Sequence, residues 1–383
     1  MRRPTRGVKR LDSAACAGQN TPMSVSRHFP ADYREARAKF LAAAASAGAL
    51  TEAIQHPLRG PHGEKLFTDV AWTGPRDARA ALVTISATHG VEGYCGTGCQ
   101  VAWLEEGLHR DLPKGVAVLA IHAINPHGYA WTRRVTEDNV DLNRNFIDHA
   151  RPHPVNAGYA SLAEVVTPPA WNPTTIAGTT RALDAYRAQQ GEAAYKAAIF
   201  SGQFVDPHGI FFGGYAATWS NRTLLAVLRR YLSNIPHVGV IDYHTGLGPY
   251  GHGELIYGLP ADTGLFRRMQ DWLGNEVKST DLGTSAAQPI NGMNQAAMVQ
   301  ALPRSQVHVV ALEYGTWEPP AVLNSLRADN WLHKHGELDS EQGRAIKAEI
   351  RHALYPDADD WRNLVWERAV QINRGMINGL ARA

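Results

Sequence analysis

ALVTISATHGVEG (residues 81–93) is the stretch from which the fold of this chain can be read. Its first six residues, ALVTIS, are a short apolar and β-branched run lying between Gly and Pro signals, the pattern of a buried strand. ATHGVEG then breaks the run with a glycine-flanked turn, and a helical pattern resumes around residues 98–107. Three more runs repeat the design: VAVLAIHA (116–123), HVGVIDYH (237–244) and VHVVALEY (307–314). Helical candidates lie at 181–198, 223–232 and 264–278, and ADYREARAKFLAAAASAGA (31–49) predicts an opening helix. Strands alternating with helices predict an α/β fold with a mixed, largely parallel central sheet and helices on both faces.

With 383 residues the chain can build a large core, and 44% hydrophobic with 19% charged residues describes a globular protein. A formal charge of +2 does not suggest a nucleic-acid or membrane-surface binder, and no apolar stretch approaches the roughly 20 residues that span a bilayer. Three cysteines argue against a disulfide framework and for a reducing, cytoplasmic setting. Residues 1–22 are basic without an apolar segment behind them, and read as a disordered extension or a misplaced start. Residues 23–383 read as a single domain with a loop-rich insertion at about 150–180, where Pro, Thr, Ala and Gly show no periodicity. Residues 340–383 read as two packed helices with Trp361, Leu364, Val365 and Ile372 as core.

Three of the strand ends carry chemistry, in four residues. His89 and Glu92 stand three apart in the turn after the first run, where one imidazole and one carboxylate can face a common point. With 17 histidines, about one His-x-x-Glu match is expected by chance, so the pair gains weight only from its place after a strand. Taken alone, His89 reads equally well as an ordinary loop histidine. His244 ends another strand and supplies a third ligand, completing a set that suits zinc and would tolerate manganese or cobalt. A lone histidine there would be a satisfied core residue, but Thr245-Gly246-Leu247-Gly248 turns the backbone sharply beside it. Glu313 ends the VVAL run, where a carboxylate is costly to bury unless it is paired with an arginine or works as a base.

Between strands lies NPHGYAWTRRVTEDNVDLNRNF (125–146). Arg134 and Arg144 suit bidentate recognition of a carboxylate, Asn143 adds a donor, and Asp141 can orient a metal-bound histidine through its other ring nitrogen. Arg133 reads as a solvated surface charge. Cys95 and Cys99 read as small helix-packing residues, FFGGYAATWSN (211–221) as a possible pocket wall, and His252 as no nearer than the periphery of the site.

NPHGY, Arg134 and DLNRNF (141–146) resemble the zinc carboxypeptidase family, whose members carry a very similar NPDGY, Arg and DLNRNF series. The resemblance spans about residues 81–315 and is nearest to a bacterial branch with HGVEG, DLNRNF, DxHTGLG and LExGT signatures. It implies a carboxypeptidase-like hydrolase fold, Zn2+ held by His89, Glu92 and His244, and Glu313 as general base. It further implies Arg134 at the oxyanion and Asn143 with Arg144 as a clamp for a terminal carboxylate. Two departures stand out: His127 replaces the acid of NPDGY, and 286–303 holds no tyrosine where the family places a mobile one. Tyr257 and Tyr314 are the candidate substitutes. The expected partner is a small peptide with a free carboxylate, or else an acylated amino acid, since aspartoacylase-like and desuccinylase-like deacylases also lack that tyrosine. A metal-binding protein without catalysis is the third reading, and the oligomeric state is open.

Overall fold

The computed structural model describes residues 24–383; the expected N-terminal extension lies outside the described residues. The chain runs α1 (Tyr33–Ser46), β1 (Leu50–Arg59), β2 (Lys65–Thr73), β3 (Ala80–Ile85), α2 (Gly93–Glu105), β4 (Val116–His122) and α3 (Pro126–Ala130). After these come α4 (Ala157–Val166), α5 (Pro173–Gln190), α6 (Glu192–Phe200), α7 (Trp219–Leu232), β5 (His237–Tyr250), β6 (Gly253–Tyr257) and α8 (Gly264–Leu273). The last elements are β7 (Val277–Ser279), α9 (Asn294–Ala301), β8 (Gln306–Gly315), α10 (Pro319–His335), α11 (Glu341–Leu354) and α12 (Asp359–Arg382).

One eight-stranded sheet has the order β1-β2-β4-β3-β5-β8-β6-β7. Its centre, β4-β3-β5-β8, is parallel, while β2 and β1 at one side and β6 at the other run antiparallel to their inner neighbours. The four runs read as buried strands are this parallel centre. Alternation along each strand feeds two cores. Leu82, Val118, Ile241 and Val310 face α1, α2 and α12, whereas Val83, Leu119, Val240 and Val309 face α7 and α9. The chain leaves β3 through α2 to pair β4 on one side, then returns to place β5 on the other. The C-terminal ends of β3 and β5 therefore flank the point where strand order reverses, where α/β sheets open a crevice.

Several elements differ from the sequence reading. Residues 150–180 are not loop: they hold α4 and the start of α5, capped by Asn156 and Asn172, with Pro173 at the first turn. No periodicity marks α5 because Leu183 is its one fully buried residue. The helix expected at 181–198 is split at Gly191, whose φ of +86° suits glycine best. Strands β1 and β2 lack a long apolar run: β1 is a largely exposed edge, and β2 is buried but interrupted by the polar Thr68 and Asp69. The last two helices do not form a packed pair: α11 lies on α10, and α12 on the sheet and α2. Trp361, Val365 and Ile372 are buried as expected, while Leu364 is 43% exposed.

Candidate metal centre

The turn after β3 is set by close backbone approach. Ala87 and Ala123, just beyond β3 and β4, both adopt positive φ and redirect their chains. A Cβ on Gly90 would lie 2.0 Å from the carbonyl carbon of Gly128, so these two segments meet backbone to backbone. The amides of Gly90 and Val91 donate to the carbonyls of Arg134 and Arg133. That contact brings Arg134 and Asp141 under the turn that carries His89 and Glu92.

His89, Glu92 and His244 converge, each buried, with one ligand atom apiece all within 4.8 Å of one another. Nδ1 of His89 and Nδ1 of His244 are 3.2 Å apart. Glu92 lies 2.9 Å from the first and 3.0 Å from the second. The far nitrogen of each ring is held by a carboxylate: Nε2 of His89 is 3.1 Å from Asp141, and Nε2 of His244 is 2.8 Å from Asp242. If each Nε2–H donates to its carboxylate, both Nδ1 lone pairs point at one another. Two lone pairs at that distance require a positive charge between them. Tetrahedral zinc with bonds near 2.0–2.1 Å separates its nitrogen ligands by about 3.3 Å, so the donor set fits such an ion.

Charge says the same. Glu92, Asp141, Asp242 and Glu313 gather here against Arg134 and Arg144, an excess of acid that suits a divalent cation. Burial works against ionising Glu92, yet His89, His244 and Arg134 hold its carboxyl well below the ordinary range. Burial likewise opposes a charge on His244, but Asp242 and Glu92 raise its affinity for a proton well above the usual.

Glu313 on β8 is the register partner of His244 on β5. It accepts the Leu247 amide at 3.1 Å, and burial, followed by the charge of Glu92, pushes its carboxyl up to about 8. Arg134 donates Nη1 to Glu92 at 2.8 Å and Nε to Asp141 at 3.0 Å, bridging ligand and supporting carboxylate. Arg144 is spent differently: Nε and Nη2 reach the Phe200 carbonyl and Nη1 the Asn143 carbonyl. Its nearest carboxylate, Asp141, is 3.9 Å away, and burial pushes the guanidinium down to about 10. Asn143 accepts the Asn294 amide, which ties the approach to α9 to the site.

Of the other expectations, those for Arg133, Tyr257 and Tyr314 are corrected, and those for the cysteines, His252 and Phe211 hold. Arg133 is no surface charge but buried, 3.1 Å from Asp329 of α10. Tyr257 and Tyr314 are buried with hydroxyls engaged by Thr263 and Val365, so neither reaches the site. His252 sits exposed in the turn between β5 and β6. Cys95 and Cys99 are buried in α2. Phe211 does border the site, its ring beneath both Arg134 and Arg144. Asp242, Thr88 and Asn294 were not anticipated; Thr88 and Asn294 donate to Asp242 at 2.8 and 2.6 Å. The Asp-x-His spacing on one strand face is the signal that could have found Asp242.

Fold and site together define an α/β protein with a buried His-Glu-His group that could hold a metal ion. The chain belongs to the DUF2817 family, a family of proteins of unknown function, whose model matches residues 29–368. No curated protein matches it in sequence. Among solved structures it is similar to the carboxypeptidase A of Helicoverpa armigera, with 13% identity and TM-score 0.43 over 84% of this chain and 73% of that one. It is also similar to an aspartoacylase family protein from Mesorhizobium loti (14%, TM-score 0.35, 76% and 68% covered). A third is the succinylglutamate desuccinylase of Chromobacterium violaceum (15%, TM-score 0.34, 83% and 73% covered). Among the described residues no helix is long and apolar enough to cross a membrane.

Proposed function

We propose that this protein is a zinc-dependent hydrolase that cleaves an amide bond next to a free carboxylate, acting as a carboxypeptidase on small peptides. The observation that carries the reading is the pair of Nδ1 atoms 3.2 Å apart, each ring anchored behind by a carboxylate. His89, Glu92 and His244 would hold the ion, which supplies Lewis acidity toward a carbonyl and water when bound. Glu313, fixed by the Leu247 amide, takes the proton of the attacking water and passes it to the leaving nitrogen. Arg134 offers a guanidinium to the developing oxyanion, a role typically worth about 3–4 kcal/mol of barrier. Asp141 orients His89. Asn143 and Arg144 bind the substrate carboxylate; a buried guanidinium whose nearest anion is 3.9 Å away gains from a new one, and the Phe200 carbonyl yields its place.

A second reading is an N-acyl amino acid deacylase. It is favoured by the engagement of Tyr257 and Tyr314 elsewhere, which leaves the carboxypeptidase cap without a tyrosine. The test is metal analysis of purified protein, then turnover of short peptides and of N-acyl amino acids with and without chelator. Chelator-sensitive cleavage of peptides supports the first reading, and cleavage of the acyl amino acids alone supports the second. No metal and no turnover would overturn both.

A further inference from the structure

Phe211 holds a backbone conformation that its side chain does not favour. Its φ is +55°, a region that bulky residues rarely enter, and the other described non-glycine residues with positive φ (Ala87, Ala123, Thr132 and Asn139) carry smaller side chains. The turn between α6 and α7 is braced to keep it there. Gln203 is fully buried and spends its whole side chain on this turn: Nε2 donates to the carbonyls of Asp206 and Ile210, and Oε1 accepts the amides of Val205 and Asp206. Its backbone amide donates to the Phe211 carbonyl at 3.1 Å, and its carbonyl accepts the Gly213 amide at 2.8 Å. The Asp141 amide donates to the Phe212 carbonyl at 2.8 Å, which fastens the turn to the stretch that supports His89. Strain held this firmly next to a site points to a task for the side chain.

The ring of Phe211 is 4% exposed and lies beneath two guanidiniums, 5.4 Å from Cζ of Arg134 and 5.5 Å from Cζ of Arg144. It also meets the Phe200 ring edge-on at 5.5 Å, and the Phe200 carbonyl is the one that takes Arg144. Burial and, against the pull of Asp141, the charge of Arg134 lower the affinity of Arg144 for its proton, so the two cations repel. We infer that Phe211 is a positioning residue whose single aromatic face holds Arg134 and Arg144 side by side for the substrate. The negative face of the ring attracts both cations without neutralising either, whereas a carboxylate in its place would cancel the charge that a substrate anion needs. Being apolar, the ring also keeps water from beneath the guanidiniums, so both act at low dielectric. The inference rests on the hydrolase reading for what the arginines touch: the oxyanion for Arg134 and the terminal carboxylate for Arg144.

The test weakens the face of the ring while nearly keeping its shape. Phenylalanine analogues with one, two and three ring fluorines, placed at position 211 alone, withdraw electrons from that face. Turnover is read on a panel of short peptides and N-acyl amino acids, and calorimetry reads the binding of free alanine, a carboxylate that cannot be hydrolysed. kcat/KM is expected to fall stepwise with fluorine, about tenfold at three, through both a lower kcat and a higher KM, while zinc content and Tm stay level. Alanine binding weakens in the same order. Phe211→Leu loses at least as much per zinc-loaded molecule, and Phe211→Tyr, which keeps the face, stays close to wild type. If turnover and alanine binding are both flat across the series, the ring only fills space: the platform falls and the hydrolase stands. If nothing is cleaved yet alanine binding falls with fluorine, the hydrolase falls and the platform stands. No cleavage and no dependence of alanine binding on fluorine overturn both.

Discussion

Oδ2 of Asp242 lies 2.8 Å from Nε2 of His244, two residues further along the same face of β5. The contact decides which ring nitrogen of His244 carries its proton and so which one faces the metal group. Asp242 is itself held by Thr88 from the metal-binding turn and by Asn294 from α9. Asp242→Asn is therefore expected to lower zinc affinity about 10- to 100-fold while the fold persists. Titration against a competing chelator measures this. An unchanged affinity would mean that the ring is oriented by packing alone.

His89, His244 and Glu313 could be read from the sequence because each closes an apolar run, and the parallel centre of the sheet gathers the ends of such runs at one edge. Glu92 followed from His89 by spacing. Asp242 was passed over although its Asp-x-His spacing puts it on the same strand face as His244, because a charged residue near a strand end gains that meaning only once the histidine beside it is taken as a ligand. The partner of Arg133 stayed hidden for a different reason: Asp329 is 196 residues away, on a helix placed by tertiary packing. The first half of α5 was missed because its faces are nearly alike in exposure, so no 3.6-residue pattern marks it.

Glu313→Gln keeps the shape of the side chain and removes its ability to accept a proton. Glu313 is opposite His244 in the sheet but donates no atom to the His-Glu-His group. Turnover is expected to fall by about 10²–10⁴, the usual worth of a general base, with zinc content unchanged. Elemental analysis alongside kinetics separates the two effects. Loss of metal together with activity would make Glu313 a structural carboxylate.

Acid should weaken the fold before the ordinary carboxylates titrate. His122 is fully buried against Phe40 with ring centroids 4.5 Å apart, and burial lowers its pKa to about 3. Burial also lowers His127 and His308 to about 4. Above about pH 6.5, the ordinary histidine value, both folded and unfolded chains hold these rings neutral and nothing is lost. As pH falls below that, the unfolded chain takes up protons that the folded one refuses. Each histidine then removes about 1.4 kcal/mol of stability per pH unit until its folded pKa is reached. Urea midpoints should fall between pH 6.5 and 4, and His122→Gln should flatten that slope by one histidine. An identical slope in the variant would show that His122 gains a proton in the folded state.

The cluster around Asp329 makes a prediction of the opposite kind, in which charge is needed. Asp329 takes Arg133 and Lys347, and although burial opposes its ionisation, these cations lower its pKa to about 2. Lys347 also donates to the Trp131 carbonyl at 2.9 Å, so one carboxylate joins α10, α11 and the loop that delivers Arg134. Asp329→Asn leaves two buried cations without their anion and is expected to cost about 3–5 kcal/mol. Replacing the partners together with apolar groups, Asp329→Leu with Lys347→Met, should recover part of the loss, because the penalty comes from unpaired charge and not from lost volume. Recovery of stability without recovery of turnover would then show that the cluster also positions Arg134. If instead the single variant loses less than about 1 kcal/mol, the value of an exposed pair, the two cations must be reached by water.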